Sequence, residues 1–477
     1  MRTYANLYIG GEWTAPTGTT PLEIRSPHDG SLVGTAAQAS RADVDRAVAV
    51  AREAFDHGPW PTLSPKERQD HVARFNELHA ARATEIAELV TAENGTPAWF
   101  TSSLQGGVAE QTNAYLRAAA DFGWEERIPG SNGTTTVLRR EPVGVVAAVI
   151  PWNAPHQSAL VKVIPALLAG CTVILKPSPE TALDGLLLGE VFEAAGFPKG
   201  VVSILPADRE TSEYLISHQD VDKVAFTGST AAGRRIASVA GDQLKRCSLE
   251  LGGKSASIVL DDADLSAVIA AVPFMAFVNN GESCAAHTRL LIPRSRYDEF
   301  VPAIIGAAEA VTVGDPSAPS TFVGPLVTAV QQRRVLDYIQ TGIDEGGRLV
   351  VGGLGMPDGL TTGNYVRPTV FVDVDNSMRI AQEEIFGPVL VVIPYADEDD
   401  AVRIANDSPY GLSGGVWTTD PERGLAIARR IRTGTFTVNG AQGGFDMPFG
   451  GYKASGIGRE FGAVGLGQYV EHKTIVV

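Results

Sequence analysis

Cysteine is scarce in this chain, whose 477 residues contain only three: Cys171, Cys247 and Cys284. Three cysteines cannot form a disulfide framework, and at least one thiol must stay unpaired. Such sparse use of cysteine is typical of proteins in a reducing compartment. We therefore expect the protein to be cytoplasmic.

The sequence also lacks the segments that direct a chain into or across a membrane. Residues 1–10 contain no basic patch followed by an apolar run, so no signal peptide is expected. No stretch reaches the roughly 18 uninterrupted apolar residues that a membrane-spanning helix needs. No membrane partner is predicted.

Positive charge is in deficit, because 39 Lys and Arg stand against 55 Asp and Glu, a formal net charge of −16. A nucleic-acid-binding surface needs a basic face, so no nucleic-acid partner is expected.

The 44% of hydrophobic residues and 20% of charged residues exclude general disorder. A chain of this length is too long for one core, and two or three domains are expected. No metal site is predicted.

The pattern of apolar residues predicts an α/β protein. Residues 40–95 predict two helices, because Ser40 and Ser64 each stand three residues before an acid, as in a capping box. From Val143 onward, short apolar runs alternate with longer amphipathic stretches, which is typical of βαβ units and a parallel sheet covered on both faces. The predicted strands are 143–150, 172–175, 201–205, 223–226 and 247–251, and the predicted helices are 156–169 and 183–195.

Polar or turn-forming segments directly follow the predicted strands. They are Pro151-Trp152-Asn153, Lys176-Pro177-Ser178, Thr227-Gly228-Ser229 and Glu250. Ligands of parallel sheets bind beyond the carboxyl ends of the strands, so these segments are expected around one crevice.

The second half of the chain predicts another α/β region. It runs from Ser255 to about Ala454, with strands near Leu290, Val370, Val389 and Val416. Residues 468–477 alternate loosely and end in Thr-Ile-Val-Val. A chain end of this kind is expected to pair as a strand, for example with a neighbouring subunit.

Two segments carry residues suited to covalent chemistry. Cys284 follows Asn280-Gly281-Glu282-Ser283 and precedes Ala-Ala, which leaves room around its sulfur. Glu250 ends an apolar run just before two glycines, which is awkward for an acid in a strand. A thiol and a carboxylate base are what covalent oxidation of an aldehyde needs. The alternatives are a buried structural cysteine and a salt-bridged acid at a strand end.

Further segments suggest a ligand site, each with a simpler alternative. Gly228 to Gly233 follows a strand and opens a helix, a place for phosphate, but a plain turn fits equally well. Lys176 could bind ribose hydroxyls or be ordinary surface. Asn153 could donate its amide to an oxyanion or be a turn residue. His287 suggests a Cys-His dyad with Cys284, which we discount because no orienting Asn or Asp is evident.

Taken together, these segments resemble the aldehyde dehydrogenase superfamily, and the resemblance covers nearly the whole chain. The matching motifs, in the family's order and at its spacing, are Pro151-Trp152-Asn153, Lys176-Pro177-Ser178, Phe226-Thr227-Gly228-Ser229-Thr230, Glu250 to Lys254, Gly281 to Cys284, Glu384 to Val389 and Pro448 to Lys453.

The resemblance implies a catalytic mechanism. Cys284 attacks the aldehyde carbonyl, and the Asn153 side chain and the Cys284 backbone N–H hold the resulting oxyanion. Oxidation leaves a thioester, and Glu250 activates the water that hydrolyses it. Lys176 is predicted to belong to both the catalytic residues and the cofactor site. No role is predicted for Glu460.

The resemblance also implies a nicotinamide dinucleotide site. Lys176 would bind the adenosine ribose, Glu384 the nicotinamide ribose, and Phe386 would pack near the nicotinamide. Trp152 and Ser229 would lie by the pyrophosphate, and Gln331 is a further ribose contact. The remaining expected contacts are Ile150, Pro151, Ser178, Pro179, Gly228, Leu251 and Gly252.

One departure from the family concerns the choice of cofactor. Many NAD-preferring members carry Glu three residues after the Lys of Lys176-Pro177-Ser178, where this chain has Pro179. A missing acid removes repulsion against a 2′-phosphate, so NADP stays possible. NAD is expected, because no Arg stands beside this site to hold the phosphate.

The expected substrate is a bulky or aromatic aldehyde. The helix after Asn153 often carries large residues facing the aldehyde channel, and small or moderate ones stand here instead. The predicted channel residues are Ala154, Gln157, Ser158, Val161, Ser283 and Ala285. Glu282 and Ser283 are expected to affect the choice of substrate rather than the chemistry.

The implied fold has two doubly wound, Rossmann-like α/β domains and a small β element for oligomerisation. Residues 1–122 and 142–252 would form the cofactor domain, to which 455–467 returns, and 253–454 the catalytic domain. Residues 123–141 and 468–477 would form the oligomerisation element of a homo-oligomer, a dimer of dimers. The segment 7–13 resembles that of tetrameric members.

Three alternative functions follow from the same residues. A CoA-acylating enzyme would use CoA in place of water, but the best-known acylating members lack the base that Glu250 provides. A non-catalytic family member is disfavoured by the intact Cys284, Glu250 and Asn153. A thiol hydrolase using Cys284 and His287 is disfavoured by the cofactor motifs.

Overall fold

The largest sheet of the computed structural model, which describes residues 1–18 and 20–477, has eight strands. Its central strands are parallel, and short antiparallel strands flank them at both edges. In sheet order the strands are Gly456–Ile457, Arg246–Glu250, Lys223–Thr227, Val145–Val149, Thr172–Lys176, Val202–Ile204, Leu7–Ile9 and Glu12–Thr14. The five central strands are parallel and lie where the sequence predicts them.

The order of the parallel strands reverses beside Val145–Val149. The next strand of the chain, Thr172–Lys176, lies on one side of it, and Lys223–Thr227 lies on the other. The loops that leave Val145–Val149 and Lys223–Thr227 therefore diverge and open a crevice at their carboxyl ends. Ligands of doubly wound sheets bind at such a point.

Both faces of this sheet are covered by helices. Val146 and Ala148 pack into a core with the helices Pro155–Ala169 and Ala182–Ala195. Val145 and its alternate neighbours pack into a second core on the other face. Burial on both faces explains why these strands are continuous apolar runs rather than alternating ones.

A second sheet of seven strands occupies the other half of the chain. Only its first pair is antiparallel. In sheet order the strands are Arg348–Val351, Thr369–Val372, Val389–Tyr395, Arg289–Pro293, Ala256–Val259, Gly414–Trp417 and Thr437–Val438. The strands predicted near Leu290, Val370, Val389 and Val416 are confirmed.

The C-terminal segment forms a small antiparallel sheet within its own chain. Val470–Val476 pairs with Thr135–Pro142, which pairs in turn with Glu125–Pro129. Apart from Pro142, these strands lie in residues 123–141 and 468–477, the predicted oligomerisation element. The domain boundaries stay a prediction. Two further sheets were not predicted, Arg2–Tyr4 with Leu32–Ala36 and Leu22–Arg25, and Tyr410–Gly411 with Tyr452–Lys453.

The helices cover these sheets, and most begin at a capped residue. Both predicted capping boxes are present, at Ser40 and Ser64. The prediction of two helices over 40–95 is wrong, because a third one begins at Ala83 after a break without Gly or Pro. The helices are Arg41–Asp56, Pro65–Ala80, Ala83–Asn94, Ala98–Ala120, Pro155–Ala169, Ala182–Ala195, Arg209–Ser217, Thr230–Asp242, Leu265–Ala276, Tyr297–Glu309, Ala329–Asp344, Arg379–Gln382, Glu398–Asn406, Pro421–Ala428 and Gly462–Leu466. Among the described residues, none of them is both long and apolar enough to cross a bilayer.

Candidate active site

A cavity of about 220 Å³ opens at the point where the strand order of the first sheet reverses. Eleven predicted site residues line it, together with Thr227, which was expected at the crevice without an assigned role, and Arg334, which was not predicted. The predicted ones are Pro151, Trp152, Asn153, Gly228, Ser229, Leu251, Gly252, Cys284, Gln331, Glu384 and Phe386. Residues far apart in the chain thus meet in one crevice.

Loops entering the second sheet form the opposite wall of this cavity. The segments ending at Gly253, Cys284 and Phe386 precede Ala256–Val259, Arg289–Pro293 and Val389–Tyr395, which are neighbours in that sheet. The cavity therefore lies between the carboxyl ends of the first sheet and the amino ends of the second. This arrangement explains how a thiol from one half of the chain meets an amide from the other.

Ser229 presents a helix N-terminus to the cavity. Its side chain accepts a hydrogen bond from the Ala232 N–H at 3.3 Å and so caps the helix Thr230–Asp242. The partial positive charge of a helix N-terminus favours an anion such as a phosphate. Trp152 and Phe386 meet edge to face across the same cavity, with ring centroids 5.5 Å apart.

The loop that carries Glu384 and Phe386 is fixed by the helix Ala329–Asp344. The Gln331 amide donates to the Phe386 carbonyl at 2.6 Å, and the Arg334 guanidinium donates to the Glu384 carbonyl at 2.7 Å. The Gly253 N–H donates to the Glu384 carboxylate at 2.9 Å. Burial raises the pKa of Glu384 to about 7, against the opposing effects of Gly253, Arg334 and Lys254.

Gly252 leaves room for the Glu384 side chain. A Cβ atom there would overlap the Glu384 carboxylate. The backbone approach that the two glycines suggested in the sequence is therefore an approach to this acid.

Cys284 is partly exposed to the cavity. Burial raises the pKa of this thiol to about 12, and the negative charges of Glu384 and Glu250 act in the same direction. A thiolate is the nucleophilic form, so the resting site holds a weak nucleophile.

The Asn153 side chain points from the first sheet to the nucleophile loop. Its Nδ2 donates to the Glu282 carbonyl at 2.8 Å, and the Asn94 amide holds the neighbouring Trp152 carbonyl at 2.9 Å. The Glu282 side chain is buried and accepts from the Val327 N–H at 3.2 Å. The Glu282 carboxylate therefore contacts the protein backbone, and its expected effect on substrate choice stays a prediction.

Glu250 lies at the end of its strand, directly before the cavity-lining residue Leu251. It is 4% exposed, and its Oε2 has no hydrogen-bond partner among the described residues. Burial raises the pKa of Glu250 well above its usual value, and the Glu460 carboxylate adds to this, while Lys162 and Arg459 oppose it. A Cβ on Gly450 would stand 2.5 Å from the Glu250 carboxylate, so glycine leaves the base its space.

Lys162, Thr227 and Glu460 form a partly buried polar cluster beside Glu250 that was not predicted. The Lys162 ammonium donates to the Thr227 hydroxyl at 2.5 Å and is paired with the Glu460 carboxylate. The sequence offers one signal for it, a lysine within the otherwise apolar helix Pro155–Ala169. Glu460 is 298 positions away from Lys162, which no local pattern connects.

Lys176, Ser178, Pro179 and Ile150 lie at the next strand end rather than in the cavity lining. Ile150 is buried and its N–H donates to the Lys176 carbonyl at 3.1 Å. Burial lowers the pKa of Lys176 to about 8, and the charges of Glu180 and Asp208 oppose this shift. Pro179 lines a separate cavity of about 430 Å³.

The acid missing at Pro179 is replaced by its neighbour. The Ser178 hydroxyl donates to the Glu180 carboxylate, and this carboxylate acts electrostatically on Lys176. Asp208, the N-cap of the helix Arg209–Ser217, is the second acid that acts on Lys176. Two acids other than the residue at position 179 thus act on Lys176.

The predicted channel residues lie on two elements beside the nucleophile, outside the lining of the cavity. Ala154, Gln157, Ser158 and Val161 belong to the start of the helix Pro155–Ala169, and Ser283 and Ala285 flank Cys284. The helix Ala98–Ala120 lies over them, because its Gln111 and Tyr115 donate to the Gln157 and Val161 carbonyls.

Phe445, Phe449 and Phe461 form an aromatic group near this side that was not predicted. The Phe461 ring centroid lies 5.4 Å from that of Phe445, 6.1 Å from that of Phe449 and 6.4 Å from that of Tyr115. Tyr115 also donates to the Val161 carbonyl. Tyr115 therefore contacts both the aromatic group, at Phe461, and the predicted channel residue Val161.

His287 does not behave as a partner of Cys284. Its Nε2 is 3.1 Å from the Ser413 hydroxyl, and its Nδ1 has no hydrogen-bond partner among the described residues. Burial lowers the pKa of His287 to about 4, so the ring is neutral at physiological pH.

Comparison with known proteins agrees with this geometry. Residues 13–475 match the profile described as "Aldehyde dehydrogenase family". The chain is 46% identical to a geranial dehydrogenase of Castellaniella defragrans, over 99% of this chain and 98% of the relative. It is 41% identical to a 3-succinoylsemialdehyde-pyridine dehydrogenase of a Pseudomonas species, over 100% and 99%. The crystal structure of a Mycobacterium tuberculosis aldehyde dehydrogenase complexed with NAD+ superposes with a TM-score of 0.98, at 48% identity over 100% of this chain and 98% of that one.

The raised pKa of the Cys284 thiol predicts how its reactivity depends on pH. In the protein without cofactor, alkylation by iodoacetamide should accelerate by about tenfold per pH unit from pH 7 to 9, because only the thiolate reacts. Mass spectrometry of the Cys284 peptide measures the rate, and Cys284→Ala reports the background from the other two thiols. A plateau below pH 9 would contradict the assignment.

Proposed function

Because this chain belongs to the aldehyde dehydrogenase family, whose members are oxidoreductases that act on aldehydes, we propose that it oxidises an aldehyde to the carboxylic acid. Cys284 forms a covalent thioester in this proposal, and water activated by Glu250 hydrolyses it. One observation carries the proposal: Cys284 and Asn153 line one cavity with the dinucleotide-binding candidates, and Glu250 directly precedes the lining residue Leu251 and acts electrostatically on the Cys284 thiol.

The chain's own groups divide the reaction between them. The Cys284 thiol first loses its proton to water, and the thiolate sulfur then bonds to the aldehyde carbon, so that the negative charge moves to the carbonyl oxygen. The Asn153 amide and the Cys284 backbone N–H donate to that oxygen. In the second stage Glu250 takes a proton from water, which attacks the thioester and releases the Cys284 sulfur. The raised pKa of Glu250 suits a general base that works near neutral pH.

NAD is the proposed cofactor, and the crevice fits a dinucleotide. Ser229 offers a helix N-terminus to the pyrophosphate, Glu384 offers a carboxylate to the nicotinamide ribose, and Lys176 is the candidate for the adenosine ribose. When bound, NAD supplies the acceptor for the hydride that leaves the substrate carbon. The Mycobacterium tuberculosis relative is complexed with NAD+, which supports the assignment.

NAD is favoured over NADP by the charges around Lys176. Glu180 and Asp208 both act on this lysine, and either carboxylate would repel a 2′-phosphate placed there. The acid that the sequence lacks at Pro179 is thus supplied by neighbouring residues.

The proposed substrate is a bulky or aromatic aldehyde. Its support is the small or moderate size of the residues along the start of the helix Pro155–Ala169 and beside Cys284. The names of two relatives, a geranial dehydrogenase and a 3-succinoylsemialdehyde-pyridine dehydrogenase, point in the same direction.

The protein is also proposed to assemble as a homotetramer in the cytoplasm. Support for assembly comes from the C-terminal strand Val470–Val476, whose Val476 is 66% exposed, and from Leu244, which is 92% exposed. Support for the compartment comes from three free cysteines in the whole chain. Light scattering should give four times the chain mass of 50.3 kDa, and a monomer mass would contradict the assembly.

The division of labour between Cys284 and Glu250 predicts two different kinetic defects. Glu250→Gln should keep the first burst of NADH within about twofold and slow steady turnover by about 100-fold, because only deacylation needs the base. Cys284→Ala should abolish both phases. Stopped-flow absorbance at 340 nm separates them, with the exposed Glu309→Gln as control. Equal loss of burst and steady turnover in Glu250→Gln would contradict the assigned role.

The charge beside Lys176 predicts the cofactor preference. The wild type should have a higher kcat/KM with NAD than with NADP. Glu180→Gln should lower the ratio of kcat/KM with NAD to kcat/KM with NADP by roughly three- to tenfold, because one charge that repels the 2′-phosphate is removed. Glu309→Gln serves again as the matched control. An unchanged ratio in Glu180→Gln, or a wild-type preference for NADP, would contradict the assignment.

The small channel residues predict the ranking of aldehydes. The kcat/KM for aromatic and long-chain aldehydes should exceed that for acetaldehyde by about tenfold or more. Ala154→Phe should narrow the channel and lower the ratio of bulky to short substrates. Turnover of acetaldehyde or propanal well above that of the bulky aldehydes would overturn the proposed substrate class.

A further inference from the structure

Three consecutive residues before the nucleophile adopt the left-handed conformation. They are Asn279, Asn280 and Gly281, with φ values of 52°, 60° and 73°. Left-handed backbone is easy for glycine and unfavourable for other residues, of which asparagine tolerates it best. Such strain persists only where the surrounding contacts hold it, and it is often found at functional sites.

The second of these residues is explained by the scaffold. The Asn280 amide donates to the Gly95 carbonyl at 3.0 Å and to the Pro325 carbonyl at 2.9 Å, and its oxygen accepts from the Gly324 N–H at 2.6 Å. It is fully buried. Asn280 therefore ties together three backbone segments and does not contact Asn153.

The first residue, Asn279, contacts both halves of the candidate active site. Its Nδ2 donates to the Asn153 carbonyl at 2.8 Å and to the Glu282 carbonyl at 3.2 Å. Its Oδ1 accepts from the Thr96 hydroxyl at 2.7 Å. Because the hydroxyl occupies the oxygen end of the amide, the nitrogen end is directed at the two carbonyls.

These bonds close a small network with the oxyanion candidate. The Asn153 side chain donates one N–H to the same Glu282 carbonyl, at 2.8 Å. An amide nitrogen carries two hydrogens, so one N–H of Asn153 stays free for a ligand while the other fixes the amide plane. The network joins the loop of the first sheet to the loop that carries Cys284.

We propose that Asn279 is the positioning residue of the oxyanion site. It holds the Asn153 loop and the Cys284 loop in register, so that the Asn153 amide and the Cys284 N–H converge on the same oxygen. This inference rests on the proposed function, since it assigns a role in the step that creates the oxyanion. It predicts slow acylation with unchanged cofactor binding.

The decisive variant is Asn279→Gly. Glycine accepts the left-handed backbone without strain, so the variant removes the side-chain bonds and spares the fold. The NADH burst should slow by about 10- to 100-fold, as expected when an oxyanion donor is misplaced, while the Kd for NAD stays within about twofold. Thr96→Val should slow the same step less, and it provides a second variant if Asn279→Gly does not fold.

A double-mutant cycle shows whether Asn279 acts through Asn153. If it does, the Asn153→Ala/Asn279→Gly variant should be no slower than Asn153→Ala alone, within about twofold. The control is Asn280→Gly, which makes the same exchange at a scaffold position and should lower Tm without slowing the burst. Losses that multiply in the double variant, or a burst slowed equally in Asn280→Gly, would overturn the inference.

A cofactor-free assay separates this inference from the proposed function. Hydrolysis of 4-nitrophenyl acetate by Cys284 passes through a similar oxyanion and needs no NAD. The acylation rate should fall in Asn279→Gly by a factor similar to that of the burst. If the wild type formed no NADH, the proposed oxidation would fail, and the ester reaction would still decide the role of Asn279.

Discussion

The hydrogen bond from the Asn153 amide to the Glu282 carbonyl is the contact on which the rest of the site depends. Asn153 leaves the first sheet, and Glu282 belongs to the loop that enters the second. The bond therefore joins the two sheets at the cavity, and the Asn279 side chain bonds to the same two loops. The alignment of the thiol, the amide and the crevice at the strand-order reversal follows from these bonds.

Burial is the second constraint, and it sets the resting protonation of the site. It raises the pKa values of Cys284, Glu250 and Glu384 together, so each group loses its charge more easily than in water. Lys162 and Arg459 partly offset this at Glu250. The site thus rests with a weak nucleophile and a base whose pKa is raised mainly by burial.

Much of the site was predictable because each strand end is marked in the sequence. The parallel strands brought Trp152, Asn153 and Ser229 to one crevice as expected, and Cys284 joined them. The pair of Lys162 and Glu460 was not predictable, because only tertiary packing brings together residues 298 positions apart. The break before Ala83 contains no Gly or Pro, so no sequence pattern marks it. The acid near Lys176 is Glu180, one position after Pro179, where the family pattern places an acid.

The most direct test of this account is the formation of NADH at 340 nm by the wild-type protein with a panel of aldehydes, with and without CoA. The account predicts reduction of NAD with release of the carboxylic acid in the absence of CoA. Turnover that requires CoA would show that the CoA thiol, and not water, accepts the acyl group from Cys284. No NADH with any aldehyde, while Cys284 is shown to be reduced and reactive, would contradict the proposed oxidation.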